Sequence, residues 1–224
     1  DQAAVLTPPD GDTVARRLAA ADAHLHGGDR GRAQTILEAL LLELPAGAAK
    51  MEALRLLGVL EGDRESFARS DALLSDALTI ASAPGDVAAI ELDLCYVAES
   101  RADFGRGLQH AARAYAAATE AGLDGLAGRA LAHHVMFRFL TGNGVDAGDL
   151  ERAVALEEPD RSVPLSRTPR SLAACLALYT GRLDVARVAF HALAAEAVAA
   201  GDENEQAFHD MWLSWLEMLA GRFD

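Results

Sequence analysis

Between Ser171 and Ala200 the sequence SLAACLALYTGRLDVARVAFHALAAEAVAA lays down two runs of apolar residues on either side of Gly181. In the second run Val185, Ala186, Ala189, Phe190, Leu193, Ala194 and Ala197 follow i, i+1, i+4, i+5, i+8 spacing, the signature of one buried helical stripe. Asp184, Arg187, His191 and Glu196 fall on the opposite face and are expected in water. Gly181 stands where a helix stops most easily, at a residue free to take positive φ. The pattern predicts two amphipathic helices packed across a tight turn.

The same unit recurs. ARRLAAADAHLHGGDRGRAQTILEALLLEL carries Gly28 at the turn and the stripe Ala33, Ile36, Leu37, Leu40, Leu41 and Leu44. Near the C-terminus MWLSWLEMLAGRFD supplies a first helix ending at Gly221. A helix hairpin repeating about every 38 residues marks a solenoid of the tetratricopeptide kind. The predicted fold is all-α: a right-handed α-solenoid of about five and a half hairpins, forming a single domain over residues 1–224. Residues 1–12 read as the tail of a preceding repeat, stopped by Pro8-Pro9, with Asp12 or Thr13 capping the next helix. Residues 13–156 hold repeats one to four. Within them Arg64–Ala83 is the second helix of repeat two, Gly125–Leu140 the first of repeat four, and Ala147–Leu156 a short second helix. Residues 157–170 form a long connection with three prolines, and residues 171–224 hold repeat five and half of repeat six. Both ends cut through a repeat, which predicts a fragment excised from a longer protein.

Composition narrows the function. The 224 residues carry a formal charge of −14, with nineteen arginines and a single lysine, Lys50. Such a surface repels phosphate backbones, so direct nucleic-acid binding is not expected. No apolar run is long enough to span a bilayer, and no signal-peptide layout opens the chain. Cys95 and Cys175 fall on first helices two repeats apart, too distant for a disulfide, which predicts reduced thiols and a cytoplasmic location.

Candidate chemistry is sparse. Walker, GxGxxG-after-strand, GxSxG and HExxH patterns are absent, so no enzyme activity and no cofactor are expected. Gly122-x-x-Gly125-x-x-Gly128 reads as a break between repeats. The pairs His24/His26 and His133/His134 diverge around a helix and predict no metal site. Glu157 and Glu158 are expected to be solvated at a helix end. First helices line the concave face of tetratricopeptide-like arrays. Six residues before each turn stand Asp22, Tyr96, Met136, Cys175 and Trp215, a variation that suits a shared groove better than a packing site. The candidate groove residues are Tyr96, Glu99, His133, Met136, Tyr179, Trp212 and Trp215. The tryptophans read equally well as padding on an interface that a missing helix covers.

LTPPDGDTVARRLAAADAHLHGGDRGRAQTILEAL, LYTGRLDVARVAFHALAAEAVAAGDE and WLSWLEMLAGRFD together resemble the helical-repeat region of the large ATP-binding LuxR-type transcriptional regulators, abundant in high-GC actinobacteria. The likeness is to repeats of the maltose-regulon activator type and covers essentially the whole chain. It implies an ATPase domain before the repeats and a LuxR-type helix-turn-helix after them, neither of whose motifs occurs here. It also implies a superhelix that binds a small-molecule inducer or a protein or peptide partner in its concave groove and takes part in self-association. Related arrays follow ATPase modules in some adenylate cyclases and kinases. A general protein-interaction scaffold is the alternative reading.

Overall fold

Hairpin follows hairpin in the computed structural model, which describes residues 13–160 and 163–222. Its eleven α-helices are α1 (Thr13–His26), α2 (Arg30–Glu43), α3 (Ala48–Asp63), α4 (Phe67–Ile80), α5 (Pro84–Ser100), α6 (Phe104–Ala121), α7 (Asp124–Leu140), α8 (Ala147–Ala155), α9 (Pro169–Tyr179), α10 (Leu183–Ala200) and α11 (Glu203–Leu219). A single 3-10 turn, Leu165–Arg167, precedes α9, and no strand occurs among the described residues. The expectation for residues 1–11 and for Asp12 as a cap lies outside those residues. Thr13 is the first helical residue rather than a cap.

Local chemistry sets the helix boundaries. Asp29, Asp146 and Asp202 each accept a hydrogen bond from the backbone N–H three residues on, satisfying a donor that the first turn leaves open. Pro84 and Pro169 sit at the starts of α5 and α9, where a missing N–H costs nothing. Within the hairpins the turn residue is left-handed every time: Gly28, Glu65, Ala102, Gly142, Gly181 and Gly221. These positions lie 37, 37, 40, 39 and 40 residues apart, which is the repeat period. Each turn from Glu65 onward repeats one pair of bonds, as in Ala102 N–H to Glu99 O (2.9 Å) and Asp103 N–H to Ala98 O (2.9 Å). Two of the six lack glycine, so hydrogen bonding holds the turn even where a Cβ opposes it.

The chain divides into two compact units, Asp1–Ala121 and Gly122–Asp224. In the first, α1/α2, α3/α4 and α5/α6 pair as hairpins. α2 packs on α3 and α4 on α5, while the first helices also touch, α1 on α3 and α3 on α5. In the second, α7/α8 and α9/α10 pair, α8 and α7 both reach α9, and α10 packs on α11. First helices of adjacent hairpins therefore meet side chain to side chain. Arg55 bonds Asp93 at 3.0 Å, 38 residues away, and Ser171 lies 3.4 Å from His209, again 38 away.

Glycine permits the closest helix approaches. A Cβ on Gly58 would stand 2.7 Å from Leu74 Cγ, and Ser70 Oγ donates to the Gly58 carbonyl at 2.7 Å. Gly125 and Gly128, read from sequence as a break between repeats, lie inside α7 instead. There a Cβ on Gly128 would meet the Ala153 carbonyl at 2.9 Å. Other boundaries shift by a few residues: the helix expected over Arg64–Ala83 spans Phe67–Ile80, and α9 begins at Pro169 rather than Ser171. On α10 the buried stripe is Ala186, Phe190, Leu193, Ala194 and Ala197. Val185 is expected on that stripe but is 56% exposed, at the wall of an open cleft.

Candidate functional site

The second unit gathers three of the seven groove candidates. Trp212 of α11 stacks on Phe190 of α10 (centroids 6.0 Å, 5°) and on Trp215 (5.3 Å, 30°). Tyr179, at the end of α9, meets Trp212 edge-on at 5.9 Å and stacks on Phe139 of α7 at 6.0 Å. Phe208 closes against Trp212 edge-on. Such ring pairs add about 0.5–1.5 kcal/mol each beyond burial. The cluster is half in and half out of the unit. Trp212 is partly buried, and its indole N–H is buried with no hydrogen-bond partner among the described residues.

Outward from this cluster α11 shows water an apolar stripe. Met211, Trp215, Met218 and Leu219 are 52%, 42%, 50% and 56% exposed. Counting back from the turn glycines, their counterparts one hairpin earlier are Ser171, Cys175, Leu178 and Tyr179. The first three of those are buried. On α9 that face is covered, partly by His209 of α11. On α11 it is open.

The remaining candidates lie elsewhere. His133 and Met136 are buried within α7, His133 Nδ1 bonding the Arg129 carbonyl at 2.9 Å, so neither presents a surface to a ligand. Cys175, at the equivalent place in α9, is buried too. Position six before the turn is thus buried at Met136 and Cys175, partly buried at Asp22 and Tyr96, and exposed at Trp215. Tyr96 and Glu99 sit half-buried on α5 in the other unit.

Several polar groups that sequence reading passed over are held inside. In the first unit Glu91, on α5, accepts from His110 Nδ1 and from Arg113 Nε of α6, both at 2.6 Å. Burial pushes the Glu91 carboxyl upward, but the bonds from His110 and Arg113 outweigh it and leave the group below its ordinary range. Burial drives the Cys95 thiol well above its usual value, reinforced by Glu99, Glu91 and Asp93, so it stays protonated. In the second unit His209 donates from Nδ1 to the Glu205 carbonyl (2.7 Å), leaving Nε2 to accept from Ser171 Oγ. The Glu205 carboxylate takes both the backbone N–H (2.6 Å) and the hydroxyl (2.9 Å) of Ser166, fastening the 3-10 turn to α11. Ser171 and His209 are fully buried, so this hydroxyl and imidazole act as internal fasteners. Only the 38-residue spacing between them could have revealed the pair.

Glu157 is not solvated. Arg170 binds it through the backbone N–H (2.9 Å) and Nε (2.5 Å) and reaches Glu196 at 3.1 Å. Beside this bridge lies a cleft of about 250 Å³ lined by Val154, Arg170, Ala173, Ala174, Val185, Ala189, Ala192 and Leu193. Among the described residues no group of three or more His, Cys, Asp or Glu is placed to hold a metal, and no helix is long and apolar enough to cross a membrane. No protein-family model matches this chain, and no curated protein matches it either.

Proposed function

We propose that the chain is a non-catalytic sensor and interaction module of a LuxR-type, ATP-dependent transcriptional regulator. In this reading it is a right-handed tetratricopeptide-like array of about five and a half repeats, acting in the cytoplasm. It takes a small inducer, and its α11 face joins the array to a second copy of the regulator. Inducer binding favours one packing of the hairpins and so biases assembly of ATPase and DNA-binding domains outside this chain.

The observation that carries this reading is the open stripe on α11. A face that is covered at Ser171, Cys175 and Leu178 of α9 recurs on α11 as Met211, Trp215 and Met218, yet stands in water beside an unmet indole donor. Exposed apolar patches of this kind mark interaction surfaces. The non-catalytic part rests on where the reactive groups lie: Ser171, His209, His110 and Glu91 are sealed in packing and committed to one another or to the backbone. The regulator class rests on the sequence resemblance alone. The parent reading frame tests it: a P-loop ATPase upstream and a helix-turn-helix downstream are expected, and a frame bearing neither overturns the class.

A further inference from the structure

The cleft beside Arg170 is lined from three helices. The eighteen-residue α10 forms one wall from Val185 to Leu193, α9 supplies Arg170, Ala173 and Ala174, and the nine-residue α8 contributes Val154. Four of the eight lining residues are alanine, and it is their missing side-chain volume that leaves the hollow. On the neighbouring face of α10 the space is filled by Phe190.

The chemistry of the hollow is one-sided. Seven of its eight lining residues are apolar, and water inside finds almost nothing to bond, so an apolar group that displaces it gains affinity. The single charge, Arg170, is engaged by two carboxylates, Glu157 and Glu196. Both carboxylates already occupy the guanidinium, which leaves it little charge to offer a ligand carboxylate. An apolar cavity of about 150 Å³ accommodates benzene. The 250 Å³ here suits one ring with a short alkyl arm, or a fused pair of small rings, about ten heavy atoms.

We propose that this cleft is a binding site for a small, neutral, largely apolar molecule of aromatic or branched aliphatic character. This rests on reading the chain as a receptor, and it places the inducer between α8, α9 and α10, away from the α11 face that docks protein. A ligand wedged there props α8 against α10, so occupancy reaches α11 through α10, on which α11 packs.

Amide-detected NMR titration of the whole chain with toluene, indole and benzoate tests the proposal. Toluene and indole are expected to bind with Kd on the order of 1 mM or tighter, shifting the amides of Val154, Ala173, Ala189 and Ala192. Benzoate is expected to bind at least tenfold more weakly. Ala189→Leu and, at the exposed lip, Ala192→Leu fill the hollow with good helix formers and should each weaken toluene at least tenfold. Val188→Leu, on α10 but outside the cleft, should leave it unchanged. No shifts at these amides with either neutral probe, equal binding of benzoate, or full affinity in both filled variants overturns the proposal. None of these results bears on the α11 face, which is probed separately by substitution at Trp215.

Discussion

Replacing Gly128 with alanine sets two known effects against each other. Gly128 lies inside α7, where alanine is favoured over glycine by about 1 kcal/mol. The added methyl, however, would stand 2.9 Å from the Ala153 carbonyl oxygen, 3.0 Å from Leu156 Cβ and 3.3 Å from the Leu156 carbonyl carbon. Two of those three atoms are backbone, so no rotamer change relieves the clash and α8 itself must move. Overpacking of this kind costs about 1–3 kcal/mol, and a backbone contact belongs in the upper part of that range. The net expectation is a loss of about 1–2 kcal/mol, a fall in melting temperature of about 5–15 °C for a unit of this size. Gly105→Ala is the control: it sits at the start of α6 with open space around it and should gain about 0.5 kcal/mol. Thermal melts and amide exchange across Leu150–Ala155 read both variants. If Gly128→Ala proves as stabilising as Gly105→Ala, with exchange in α8 unchanged, the close crossing of α7 and α8 is refuted.

Ala102 holds a left-handed turn that glycine would adopt without steric cost, so Ala102→Gly should stabilise the chain by about 0.5–1 kcal/mol in a urea titration. Glu91 has a folded-state pKa depressed below its ordinary 4.5, so the stability it contributes is present above that pH and lost as pH falls through the lower folded value. Glu91→Gln should therefore cost about 1–3 kcal/mol at neutral pH, and the gap in melting temperature from the native chain should narrow as pH falls below 4.5. Phe190→Ala removes a fully buried ring that backs Trp212, with an expected loss of about 3–5 kcal/mol and a red shift of tryptophan emission.

Much of this structure could be read from apolar spacing, because each hairpin buries a stripe of its own second helix. Gly28, Gly181 and Gly221 announced their turns, and the period of about 38 carried over into contacts such as Arg55 with Asp93. Glu65 hid its turn, and Ala102 was legible only through its place in the repeat, since hydrogen bonding there imposes a conformation their side chains do not favour. The aromatic cluster was half legible. Tyr179, Trp212 and Trp215 stood out, but Phe190, on which Trp212 stacks, read as ordinary core, and Phe139, on which Tyr179 stacks, gave no signal. His133 and Met136 are buried for a physical reason: a first helix presents one face to its own hairpin and another to its neighbours, and spacing from the turn does not say which is covered. The cleft was invisible, because it arises from what four alanines leave unfilled.

The claim on which the functional account leans most is that the open face of α11 docks protein in the working regulator. Sedimentation velocity of the parent protein, native against the double variant Trp215→Ala/Met218→Ala, addresses it directly. The account expects the variant to keep its helical circular dichroism while losing the concentration-dependent larger species of the native protein. An unchanged sedimentation profile across the same concentrations would contradict it.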